Sequence, residues 1–105
     1  MTDKRIVFTT CGSEEEAERI ARYLVENLLA ACVNVIPHIK SVYRWRNKVE
    51  SEQEWLLVVK TTAKNFDQLR EAIRGLHSYE LPECVSIAID DGSVAYLQWI
   101  DDSVK

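Results

Sequence analysis

The chain has 105 residues, 47% of them hydrophobic, with 13 basic and 17 acidic side chains, for a net charge of −4. That length fits one globular domain, spanning residues 1–105, with a core of its own and no room for a second. The acidic balance and the lack of a basic run argue against nucleic acid as a partner, and no stretch approaches the ~18 apolar residues of a membrane span.

Lys4 to Thr10 holds the apolar run Ile6, Val7 and Phe8 and reads as a buried strand. The opening MTDKRIVFTT lacks the 7 to 15 apolar residues of a secretory signal. Cys11, Cys32 and Cys84 are odd in number and far apart, without a C-x-x-C pair, which argues against a disulfide framework. A cytoplasmic location is the expectation from these features. Ser13 stands three residues before Glu16, a capping box, and Glu14 to Glu16 place negative charge on the first turn of a helix. Ala17, Ile20, Ala21, Leu24 and Leu28 then form one apolar stripe, which predicts a helix to about Leu29.

Cys32 to Thr62 reads as two long strands folded back on each other. Val33, Val35, Pro37, Ile39, Tyr43 and Trp45 occupy odd positions of the first, the period of a half-buried strand. In the second, Trp55 to Val59 run on without alternation, as in a strand covered on both faces. Polar Arg46 to Glu54 lies between, and Asn47 is the residue there most tolerant of a left-handed turn. A strand over residues 32 to 45 would span roughly 45 Å at ~3.3 Å per residue. A domain of this size has a radius of gyration of only ~13 Å, so either Pro37 breaks the strand or part of it meets a second chain. His38 beside it reads as a surface residue at a bulge.

A second helix follows, capped by Thr61, Thr62 or Asn65, with Phe66, Leu69, Ile73 and Leu76 on its apolar face and Gly75 near its stop. His77 to Pro82 is a connection, since Pro82 keeps Leu81 out of helical angles. Cys84 to Ile89 reads as a fourth strand, Asp91-Gly92 as a turn, and Ser93 as the cap of a short last helix bearing Tyr96, Trp99 and Ile100. The order defines an α+β, ferredoxin-like βαββαβ sandwich with an antiparallel sheet, a long β2-β3 hairpin and a short C-terminal helix. Its two helices cover one sheet face. The strands are apolar on the other face too, which predicts an oligomer that covers it.

The segments AACVNVIP (30–37), SVYRW (41–45), KTT (60–62), HSYELPE (77–83) and YLQWI (96–100) together resemble the CutA family, the divalent-cation tolerance proteins. The resemblance implies a homotrimer that binds copper or another divalent cation, takes no organic cofactor and is not an enzyme. It implies a role in the response to metal ions. The family's His-Pro-Tyr-x-x-Pro-Glu pattern appears here with its histidine, tyrosine, second proline and glutamate as His77, Tyr79, Pro82 and Glu83, and with Ser78 for the first proline. A family cysteine proposed as a metal ligand aligns with Thr9, and Cys11 lies two residues on.

The metal set implied is therefore His77, Glu83 and Cys11. Imidazole, carboxylate and thiolate donors suit copper, zinc and nickel. The other reading of His77 and Glu83 is that each is paired with a nearby backbone group. Tyr43, Trp45, Trp55, Lys60, Tyr79 and Trp99 are candidates for a ligand cleft or a subunit interface. A second function stays open on these residues: a signalling or scaffold trimer, similar in form to the nitrogen-regulatory PII proteins, with a small anionic ligand or a partner protein in the cleft. No G-x-S-x-G or Gly-rich phosphate loop supports catalysis.

Overall fold

The structure is a computed structural model and describes residues 2–105. Its elements are β1 (Lys4–Cys11), α1 (Glu14–Glu26), β2 (Cys32–Trp45), β3 (Lys48–Thr62), α2 (Phe66–Leu76), β4 (Val85–Ala88) and α3 (Val94–Asp102), with one 3-10 turn at Ala63–Asn65 before α2. The strands form one antiparallel sheet in the order β2-β3-β1-β4. This is the ferredoxin-like arrangement expected, with β1 and β3 central.

On the helix-covered face, Val7, Cys11, Leu57 and Val59 of the central strands meet Ala17, Ile20, Ala21 and Leu24 of α1 and Leu69 and Ile73 of α2 in one buried cluster. The apolar stripes of both helices therefore face the sheet as their spacing requires. The opposite face carries Ile6 and Phe8 of β1, Leu56 and Val58 of β3, Ile36 of β2 and Val85 and Ile87 of β4, placed side by side by the register. Ile36, Val85 and Ile87 are 44–50% exposed. Ile100 of α3 is fully buried, yet most of this face stays open.

Three element boundaries differ from the expected ones. Helix α1 ends at Glu26, not near Leu29: Leu28 takes φ 59°, and the amides of Leu28 and Leu29 bond the carbonyls of Val25 and Leu24. This is a Schellman stop with leucine where glycine is usual, and it leaves Leu28 exposed rather than on the buried stripe. The polar stretch between the long strands is not a loop. Arg46 and Asn47, at φ 52° and 68°, make a two-residue turn, and Lys48 to Glu54 already pair with β2. Two left-handed residues match the twist of a tight hairpin. Finally, β4 is shorter than the expected Cys84–Ile89.

The long strand β2 runs through Pro37 by way of a bulge. Ile36 pairs with Leu56 and Ile39 with Glu54, so Pro37 and His38 together oppose Trp55. His38 adopts φ 58°, and its ring packs on Trp55 at 5.3 Å between centroids. Pro37 has no N–H to give, which an edge strand at a bulge tolerates. Because the bulge adds one residue, the sides of β2 exchange across it. Beyond it, Ile39, Ser41 and Tyr43 share the open face with Glu54, Glu52 and Glu50. The hairpin arm stretches the molecule to 44 × 25 × 22 Å.

Candidate metal centre and adjoining groove

Three elements converge at one end of the sheet. Cys11 is the last residue of β1, Glu16 lies in the first turn of α1, and His77 follows α2 directly. One potential ligand atom from each lies within 4.8 Å of the others. The His77 side chain is fully buried, and Nδ1 stands 3.8 Å from a Glu16 oxygen.

Glu16 reaches this place by forming only half of a capping box. Its amide donates to Ser13 Oγ at 3.1 Å, but its carboxylate accepts from the Ser78 amide at 2.8 Å instead of returning to Ser13. Burial works against the charge on Glu16, but the Ser78 hydrogen bond and the neighbouring His77 outweigh it and hold the carboxyl below its ordinary value. A carboxyl with a depressed folded pKa stabilises the fold above its unfolded pKa and stops doing so as pH falls through the folded one. Glu16→Gln is thus expected to cost stability at pH 7, with the gap to the parent closing as pH drops below about 4.5. Urea unfolding of both proteins at pH 7, 4 and 3 checks this, and parallel profiles would refute it.

Burial, with Glu16 and Glu54 nearby, pushes the Cys11 thiol up to about 12. The two buried side-chain atoms without a partner among the described residues, Thr9 Oγ1 and Trp55 Nε1, flank this thiol in the sheet: Thr9 is two residues along β1, and Trp55 is the cross-strand partner of Cys11.

His77 uses both ring nitrogens. Nε2 is 2.7 Å from the Thr10 carbonyl oxygen, and Nδ1 is 3.1 Å from the Tyr79 amide nitrogen. A carbonyl only accepts and an amide N–H only donates, so the proton sits on Nε2 and the lone pair on Nδ1. Tyr79 packs its ring on His77 at 4.7 Å, and its hydroxyl donates to Glu54 at 2.6 Å. Burial, this bond and the Glu54 charge raise the Tyr79 phenol above its usual range. Gly12 makes room for it, since a Cβ there would lie 2.9 Å from the Tyr79 hydroxyl oxygen.

Beyond Tyr79 opens a groove of about 990 Å³, whose lining includes Tyr43, Trp45, Tyr79 and the carboxylates Glu50, Glu52, Glu54, Glu80 and Glu83. Its floor is the hairpin arm and its wall the 78–83 segment. Tyr43 donates to Glu52 at 2.8 Å, and Arg46 pairs with Glu80 at 3.0 Å.

Of the residues singled out in the sequence, Cys11 and His77 meet, while Glu83 stands exposed on the groove wall outside their cluster. Tyr43, Trp45 and Tyr79 share the groove. Trp55 packs against the helix-side core, Lys60 bonds Asn34, and Trp99 stacks with Tyr96 on α3. Thr61 and Thr62 spend their hydroxyls on the Leu29 carbonyl and on Asn65, not on α2 amides. Glu16 is the site residue that sequence reasoning missed, because its role as a helix-cap partner accounted for it fully.

The sheet order and the helices on one face place the chain among the ferredoxin-like α+β proteins, with three potential ligand groups gathered at one end of the sheet. The chain belongs to the family described as CutA1 divalent ion tolerance protein, whose profile matches residues 5–103. It is 45% identical over 100 residues to the divalent-cation tolerance protein CutA of Thermus thermophilus, covering 95% of this chain and 97% of that one. The solved structure of the divalent cation tolerance protein from Thermus thermophilus superposes with a TM-score of 0.95 at 44% identity, covering 97% and 99% of the two chains. The human protein CutA is 42% identical over 93 residues, 89% of this chain, which spans about half (52%) of that protein's length.

Proposed function

We propose that this chain binds a divalent cation weakly and acts in tolerance of such ions, by sequestering or sensing them, as a homotrimer in the cytoplasm. The observation that carries this is the meeting of Cys11, Glu16 and His77, one donor from each of three elements, at the end of β1. Thiolate, imidazole and carboxylate together suit copper, and zinc almost as well. Three protein ligands leave a coordination position open, as in exchangeable sites. Binding requires the thiol to lose its proton, which its burial opposes, so the affinity rises with pH. Glu83 belongs to the groove lining, outside the three-residue cluster.

The names of the relatives support this reading, and so do the three free thiols, which suit a reducing compartment. The open face carries Ile36, Val85 and Ile87 at 44–50% exposure beside Phe8 and Val58, an apolar patch of the kind that marks a contact surface, which supports the trimer. Among the described residues no helix is long and apolar enough to cross a membrane. The alternative of a small anionic ligand draws no support from the groove, where five glutamates line the walls with Lys40, and the neighbouring Arg46 is already paired with Glu80.

The test is calorimetric titration of chelator-treated protein with copper(II) and with zinc. Removing even a ligand's outer-shell partner weakens metal binding by roughly 10- to 100-fold, so His77→Ala is expected to lose at least about tenfold in affinity. Titrations of parent and variant that coincide would remove the site.

A further inference from the structure

The atoms that would hold the ion also tie down the segment after α2. His77 Nε2–H donates to the Thr10 carbonyl, the kind of backbone hydrogen bond that commonly orients a metal-binding imidazole and leaves the other nitrogen to the metal. That other nitrogen, Nδ1, faces Glu16 but is already accepting the Tyr79 amide. A ring nitrogen has one lone pair, so it serves the amide or an ion, not both. Glu16 faces no such conflict, since a carboxylate has several lone pairs and one oxygen can keep the Ser78 amide while the other turns to a metal.

Resting on the metal-site reading above, we propose that a divalent cation at Cys11, Glu16 and His77 competes with the Tyr79 amide for His77 Nδ1, so that binding the ion frees Tyr79 while His77 and Ser78 stay held, and opens the groove beside it.

Releasing the Tyr79 backbone acts on more than one bond. Its hydroxyl is the one hydrogen-bond donor to the buried Glu54 carboxylate among the described residues, and its ring fills the space over Gly12. When Tyr79 lifts, Glu54 loses that donor and joins Glu50 and Glu52 as a row of three groove-lining carboxylates along β3, with Tyr43 still donating to Glu52. Ion occupancy at one end of the sheet is thereby read out as a change of charge and access in the groove. Coupling of this kind is reciprocal. Loosening the turn from the groove side, as in Tyr79→Phe, should tighten ion binding.

The experiment follows amide exchange by NMR on chelator-treated full-length protein with and without saturating zinc, which is diamagnetic and redox-silent, with calorimetry on the same samples. Loss of one hydrogen bond predicts that zinc speeds exchange of the Tyr79 amide by about tenfold. Glu16→Gln keeps an acceptor for Ser78 but is a poorer ligand, and it should lose the zinc-induced change. Tyr79→Phe should bind zinc several-fold more tightly than the parent, by roughly the strength of the freed hydrogen bond. If zinc binds the parent and the Tyr79 amide is equally or better protected, the coupling is wrong and the metal site stands. If zinc does not bind the parent at all, the metal-site reading falls and the coupling falls with it.

Discussion

Leu57→Ala is expected to destabilise the protein by about 2 to 5 kcal/mol, the range for a large buried side chain cut back where the surroundings cannot collapse. Leu57 is fully buried on a central strand, between Thr9 of β1 and Val35 of β2, under the two helices. Rigid neighbours on three sides keep the cavity open. Chemical denaturation should show the midpoint fall with the slope unchanged. A loss under about 1 kcal/mol would mean that this strand is not at the centre of the core.

The adjacent residue tests the opposite face. Val58 points away from the helices and lies between Phe8 and Asn34. Val58→Glu is expected to leave the far-UV circular dichroism intact and to cut the mass of the proposed trimer to one third, that of a monomer. In a symmetric assembly each mutation enters once per subunit, so three carboxylates would be forced into one interface. Burying a charge without a partner costs several kcal/mol per ion. Light scattering at ~10 μM decides it, since an interface lost by that amount falls apart in this range. An unchanged trimer would show that the open face is not the contact between subunits.

Most of the fold was legible because its signals are local. The stripes of α1 and α2 and the apolar runs of β1 and β3 need only the period of the side chains. Even the bulge had a local cause in Pro37. What escaped depends on partners distant in sequence. Lys48 to Glu54 is polar because its alternate residues line a groove, so a stretch that reads as a loop is a strand whose pairing with Ile39 to Trp45 is visible only in the register. Leu28 ends a helix in a conformation that its own chemistry does not advertise. The site split along the same line. His77 stood out through a motif, and Cys11 through a likeness to a family position two residues away. Glu16 joins them across 61 residues of chain, and no spacing rule reaches that far. Its hint was slight: three successive glutamates open α1, and the third falls on the buried stripe beside Ala17 and Ile20.

The bulge at Pro37 and His38 also governs how the chain tolerates change in length. Residues 39 to 45 take their orientation from their pairing with β3, and one position at the bulge is supernumerary. A single deletion there would remove the extra residue and leave Ile39 opposite Glu54, so Ser41 and Tyr43 would keep their face and the strand would lose only its kink. A deletion at the Arg46-Asn47 tip would disturb only the turn. The arm can therefore absorb the loss of one residue at its root, where one is supernumerary, whereas a deletion in the regularly paired residues 39 to 45 would change the facing of those beside it.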